Sequence, residues 1–210
     1  MGILALRQKC RGEELDYGFL MDYFKKYRAP RSKIMRLIRS GELIRVKKGL
    51  YVFGDLYRKQ PVHRGLLANL IYGPSYVSKE YALSYYGMIP ERVEAVTSMT
   101  TKKNKTFHTP FGTFTYQHLH ERRYAVGVNW VELEEGRHFF LASPEKALAD
   151  IVVSFRDIRS KKEMATHLRE NLRIDESALG ELDRSRMHKI AAEYRNPVVT
   201  LLERTLNPGL

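Results

Sequence analysis

The sequence predicts an α+β protein in two parts, a small basic N-terminal unit and a larger mixed α/β domain that ends in a helical tail. Three observations carry that prediction. Between Asp16 and Phe53, two helical runs separated by Pro30 lead into two β-rich runs that meet at Lys48-Gly49. Positive charge is concentrated in the same stretch: residues 1–60 hold 15 Lys and Arg against 6 Asp and Glu, and the rest of the chain holds 21 against 18. Beyond residue 60, helical and extended runs alternate before the charged helical tail.

Each N-terminal element has its own signal. Asp16 is placed to cap a helix over 17–27, in which Leu20, Tyr23, Phe24 and Tyr27 fall at helical spacing. Pro30 disfavours helix in the residue before it and suits the first turn of a new one. That helix runs from Pro30 to Ser40 and stops at Gly41. Ile34, Leu37 and Ile38 form its buried stripe. A rotation of about 100° per residue puts Ser32, Arg36 and Arg39 on the opposite face, with Lys33 beside them. Runs 43–47 and 50–53 flank Lys48-Gly49 as a tight hairpin, with Arg45, Lys47 and Lys48 crowding its tip. Helix, turn, basic helix and basic hairpin is the order of a winged helix-turn-helix, and a helix over Ile3–Cys10 completes it. The polar stretch 54–63 contains Pro61 and sets a boundary near 58. The expected domains are therefore 1–58 and 59–210.

The second domain reads as a helix over 62–72 stopped by Gly73-Pro74, a short extended piece at 75–77, and a helix over 78–86 capped by Ser78 and stopped by Gly87. Strands are expected at 93–101, 105–109, 113–118 and 124–128, with Pro110-Phe111-Gly112 turning between two of them. A helix over 144–155 is capped by Ser143, and charged helices over 160–172 and 185–206 close the chain.

The charge asymmetry points to a polyanion, and the helical order to double-stranded DNA among polyanions. Helix 30–40 is expected in the major groove. Ser32, Lys33, Arg36 and Arg39 would reach bases or flanking phosphates there. Arg45, Lys47 and Lys48 would contact phosphate, and Arg28 and Arg31 would hold a phosphate at the helix start. Lys102, Lys103 and Lys105 form a second basic run, read as a phosphate-contacting loop, as a docking surface for a partner or as a solvated hairpin tip.

Other chemistries find little support. One cysteine, Cys10, excludes an internal disulfide and a multi-cysteine zinc site and fits a reducing compartment. No apolar run reaches the ~20 residues of a membrane span, so a soluble, cytoplasmic protein is expected. His118, His120 and Glu121 lack the further ligands a metal needs. Glu145, Lys146 and Asp150 fall on the same or adjacent turns of one helix and read as a structural ion pair rather than an acid–base pair. Glu94 with the lysines near 103 makes a poor nuclease pattern, and Tyr81, Tyr85 and Tyr86 read as core packing. No catalytic residue, metal site or cofactor is assigned, and no phosphate loop or nucleophile elbow is present. A nucleic-acid-processing enzyme remains the reading from a different class.

The ordered segments Pro30–Gly54, Ser75–Gly87, Ile89–Thr97, Thr109–Tyr116 and Ala142–Asp150, spread over residues 16 to 155, resemble the AbiEi family, the antitoxins of type IV (abortive-infection) toxin–antitoxin systems. The resemblance implies a winged-helix domain that represses its own promoter at inverted repeats and a C-terminal domain that carries antitoxicity. It also implies a nucleotidyltransferase-type toxin as functional partner, countered without a stable complex. The alternative within the same class is a winged-helix regulator with no cognate toxin. One departure is Ala29 at the cap of the recognition helix, where a side chain that cannot accept hydrogen bonds leaves the first amides open.

Overall fold

Asp16 turns the chain from a strand into its second helix. In the computed structural model, which describes residues 2–207, the Asp16 carboxylate accepts from the Phe19 amide at 2.8 Å, the expected cap. Met1 and residues 208–210, the outer ends of the two expected domains, lie outside the described residues. The N-terminal elements are α1 (Ile3–Lys9), β1 (Glu14–Asp16), α2 (Tyr17–Tyr23), α3 (Pro30–Arg39), β2 (Leu43–Lys47) and β3 (Leu50–Phe53). Helix α2 is four residues shorter than its apolar spacing predicts. The chain leaves it through turn-type bonds from Lys25 to Asp22 and from Tyr27 to Phe24, while Phe24 stays buried with its ring against Tyr23 and Tyr27.

The three strands form one antiparallel sheet in the order β1-β3-β2, with Leu15 and Arg45 both opposite Tyr51. Strand β1 was not predicted, because three residues are too few to show alternation. With it, the unit has a winged-helix-like order. Gly49, at φ +91°, makes the hairpin turn, a backbone angle that favours glycine.

Strand β3 is buried along its whole length. Its alternate residues serve two interiors, since successive side chains of a strand point to opposite faces. Tyr51 and Phe53 join Leu6, Leu20, Phe24 and Leu37 in the N-terminal core. Leu50 and Val52, with Val46 of β2, instead join the core of the second part.

That second part contains α4 (Arg64–Ile71), β4 (Ser75–Val77), α5 (Lys79–Tyr85), β5 (Val96–Thr100), β6 (Lys105–Thr109), β7 (Gly112–His118), α6 (Glu121–Tyr124), β8 (Val128–Glu132), β9 (His138–Ala142), α7 (Pro144–Val152), α8 (Lys161–Thr166), α9 (Glu176–Gly180), α10 (Arg184–Tyr194) and α11 (Pro197–Leu206). The sheet order is β6-β7-β5-β4-β9-β8, with parallel pairs β5–β7 and β4–β9 and antiparallel pairs elsewhere. Helices α4 and α7 cover opposite faces of this sheet: Tyr116 of β7 donates to the Ala68 carbonyl on α4 at 2.6 Å, and Tyr76 of β4 donates to Asp150 on α7 at 2.9 Å.

Several expectations need correction. The stretch 124–128 is not a strand: α6 ends at Tyr124, Gly127 turns at φ +73°, and β8 starts only at Val128. Strand β9 was missed, because its run of apolar residues has no alternation to read. The tail 185–206 breaks in two at Arg195, whose φ of +45° ends α10, and Asn196 then caps α11 by accepting from Val198 and Val199. Ser78 does not cap α5 with its side chain; its hydroxyl donates to Asp150 at 2.7 Å.

A polar strap joins the two parts. Buried Glu13 accepts from Arg7 at 3.0 Å and from the Lys59 and Gln60 amides at 3.1 and 3.3 Å, holding the connecting segment against the N-terminal unit. Arg137, from the turn before β9, pairs with Glu14 at 3.7 Å and donates to the Gln60 side chain.

Candidate nucleic-acid interface

Helix α3 divides as its sequence predicts. Ile34 and Leu37 are buried and Ile38 is half-buried, while Arg31, Ser32, Arg36 and Arg39 are exposed. Arg28, just before the helix, is exposed as well. Sequence reasoning missed Met35, 46% exposed and four residues from both Arg31 and Arg39 on the same face. Its spacing was the available signal, but an apolar residue there reads as core. Lys33 lies partly under this face, with its ammonium 5.9 Å from the centre of the Tyr27 ring.

Among the described residues, Arg28, Arg31, Arg36, Arg39, Arg45 and Lys48 make no ion pair. Other cations of the same unit do pair: Arg7 with Glu13, Lys25 with Asp22, and Arg58 with Asp55. Unpaired guanidiniums repel one another and keep their hydration, an arrangement that a polyanion relieves. The nearest carboxylate in sequence to the helix end, Glu42, is engaged by the Ser40 hydroxyl at 2.6 Å. Ala29 supplies no side-chain cap and Pro30 has no amide hydrogen to offer, so the open N–H groups of the first turn of α3 are those of Arg31 and Ser32, close in sequence to the exposed Arg28.

The hairpin behaves differently from its prediction. Arg45 and Lys48 are exposed, but Lys47 is not an outward wing residue. A bulge between Arg45 and Lys47 shifts the register so that Lys47 stands opposite Leu50 on the side facing the second domain. There Lys47 donates to the Ile71 carbonyl at the end of α4. Burial lowers its pKa, and the charges of Lys105 and Lys102 lower it further. Sequence spacing says nothing of where the run at 102–105 lies relative to the hairpin. In the fold, Lys102 and Lys105 lie beside Lys47, and Lys103 is exposed between them.

The other candidates are structural or unsupported. The His118 ring contacts the Lys102 carbonyl, and His120 caps α6. Among the described residues no group of three or more His, Cys, Asp or Glu is placed to hold a metal ion. Lys146 and Asp150 form a fully buried ion pair at 3.7 Å. Glu94 is exposed beside Arg92. Tyr81 and Tyr86 pack against the core, whereas Tyr85 is 47% exposed. Among the described residues no helix is long and apolar enough to cross a membrane.

No protein-family model matches the chain, and no curated protein matches it significantly. Among solved structures, the chain is similar to the RV2827C protein from Mycobacterium tuberculosis. The TM-score is 0.59 at 12% identity, covering 97% of this chain and 75% of that one. Identity this low speaks to the fold alone. The chain is thus a mixed α/β protein with a winged-helix-like N-terminal unit, and that unit carries an exposed, unpaired cationic face.

Proposed function

We propose that this chain is a sequence-specific DNA-binding regulator that represses its own promoter at inverted repeats and acts as the antitoxin of a type IV toxin–antitoxin system. The observation that carries the DNA part is the outward face of α3, where Arg31, Arg36 and Arg39 stand exposed around Ser32 and Met35, without acidic partners among the described residues. In the major groove, an arginine engages guanine through two hydrogen bonds, worth roughly 1–3 kcal/mol of discrimination per pair. Met35 supplies the apolar contact that a thymine methyl accepts. Arg28 and the open amides of the first turn take a phosphate, and Arg45 and Lys48 take others, fixing register without reading sequence.

The antitoxin part rests on the AbiEi-like segments that run through both halves of the chain. On that reading the residues beyond about 60 carry antitoxicity against a nucleotidyltransferase-type toxin encoded beside this gene, with no stable complex between the two. Co-expression of the full-length chain with the adjacent gene product, scoring growth rescue and promoter repression together, tests both parts. Rescue with repression is expected. Repression without rescue leaves a regulator of other genes, and a gel shift showing no preference for the upstream region removes the DNA reading.

A further inference from the structure

Helix α4 ends at a point where both halves of the chain send lysines. Lys47 of the hairpin donates to the Ile71 carbonyl, and Lys102 of the loop after β5 donates to the Gly73 carbonyl. These two acceptors flank Tyr72. Lys102 and Lys105 also stand over the Tyr72 ring, 5.4 and 5.5 Å from its centre, and Lys105 lies 5.0 Å from the Phe107 ring. The Tyr72 ring is itself held edge-on by Tyr116 at 5.2 Å, so the platform beneath the ammonium groups is part of the core. Carbonyls at a helix C-terminus carry partial negative charge and aromatic faces attract cations, which lets like charges collect here without a carboxylate. Among the described residues none of Lys47, Lys102, Lys103 and Lys105 makes an ion pair. Lys48, exposed at the hairpin turn, is next to Lys47 in the chain.

We infer that this seam, built by Lys47, Lys48, Lys102, Lys103 and Lys105 around Tyr72, is a second phosphate-binding surface that extends the DNA footprint from the hairpin onto the C-terminal domain. The inference rests on the DNA-binding reading of α3 and deepens it. The hairpin links the two surfaces, since Lys48 adjoins Lys47 in the chain and Lys47 shares the end of α4 with Lys102. Contacts of this kind neutralise phosphates and do not discriminate bases. They anchor the flank of the site and place the C-terminal domain against the same duplex. They also account for a basic run that has no acidic partner among the described residues and leaves Lys103 and Lys105 exposed.

The test compares the full-length protein with the triple variant Lys102→Gln, Lys103→Gln, Lys105→Gln on two duplexes, the region upstream of its gene and a scrambled sequence of equal length. Lys47 is left intact because it ends α4, and thermal melting checks that the triple variant folds. The variant is expected to bind both duplexes more weakly by the same factor. Its plot of log K against log salt is expected to be shallower by about 0.9 for each phosphate that is no longer neutralised, with two to three such phosphates in all. Hydroxyl-radical protection is expected to shorten on one flank while the centre of the site is kept. A parallel variant, Arg36→Ala with Arg39→Ala, loses the preference for the upstream region. If that arm behaves so while the triple variant keeps the wild-type slope and footprint, the seam inference is overturned and the α3 reading stands. If the wild type itself shows no preference between the duplexes, the α3 reading has failed first.

Discussion

Lys146 and Asp150 lie one turn apart on α7, both fully buried, 3.7 Å from each other. Three hydroxyls complete the arrangement. Tyr76 and Ser78 donate to Asp150 at 2.9 and 2.7 Å, and Tyr194 donates to Asp150 while accepting from Lys146 at 2.6 Å. The cluster ties β4, the start of α5, α7 and α10 together. Burial pushes the Lys146 pKa down to about 8, with Asp150 opposing the shift.

Removing one partner strands the other charge in the core. Lys146→Met is expected to destabilise the fold by about 3–5 kcal/mol, and the Lys146→Met, Asp150→Asn double variant by less than the sum of the single losses. The wild type also carries a signed pH dependence. Unfolded Lys146 takes up its proton near 10.5, and in the fold it does so only near 8. The unfolded chain therefore binds more protons between those values, so wild-type stability rises with pH across that window and is flat in this respect below it. Urea midpoints of wild type and Lys146→Met at pH 7 and 9.5 check this. A gap that fails to widen in favour of the wild type at the higher pH counts against the assignment.

The double change Arg36→Ala, Arg39→Ala should abolish specific DNA binding and leave stability within about 0.5 kcal/mol, since both side chains are exposed and unpaired. A gel shift and a denaturant curve on the same preparation decide it. Retained operator affinity would remove α3 from the interface. Lys48→Ala should weaken binding to every sequence alike and shallow the salt slope by about 0.9 if the side chain neutralises one phosphate.

Helix α4 begins with a histidine cap. The His63 ring nitrogen accepts from the Leu66 amide at 3.2 Å, which only the neutral ring does. Burial first, and the charge of Arg137 second, lower its pKa below the usual 6.5. Because the unfolded chain protonates first, stability falls as pH drops below 6.5 towards the folded value. His63→Asn keeps a capping acceptor without a titrating group, so melting temperatures of the two proteins at pH 7 and 5 should show a smaller acid loss in the variant. His167, also lowered by burial, supplies part of the slope that remains.

Gly54 follows β3 directly beneath the turn that ends α3. A Cβ there would lie 1.9 Å from the Gly41 carbonyl oxygen, backbone against backbone, and the Gly54 amide donates to the Glu42 carbonyl at 2.9 Å. Gly54→Ala is therefore expected to cost about 1–3 kcal/mol or more and to lower the melting temperature. An unchanged melting curve would mean that the α3–β2 connection is free to shift.

The sequence made α3 and its faces legible because a ten-residue helix with a proline at one end and a glycine at the other leaves little ambiguity. The hairpin was equally clear at Lys48-Gly49. What stayed hidden depends on pairing at a distance. The bulge that turns Lys47 away is invisible in Arg45-Val46-Lys47. Strand β9 shows no alternation in sequence because its exposed face carries Phe140, as apolar as the buried Phe139 and Leu141 on either side of it. The seam at Tyr72 needs Lys47 and Lys102 to meet, and no local spacing encodes that. Ser78 had the composition of a cap, but a buried carboxylate 72 residues away claims its hydroxyl.

Strand β3 finally bears on how the chain can be divided. Its odd-numbered residues fill one interior and its even-numbered residues the other, so cleavage after Phe53 would bare Val46, Leu50 and Val52 to water. Each such side chain is worth roughly 1.5–3 kcal/mol when hidden. Heating should accordingly melt both halves in a single transition, and a protease should find no stable fragment ending near residue 60. Whatever alters the large sheet will be felt at the helix that faces outward, because the two share a wall.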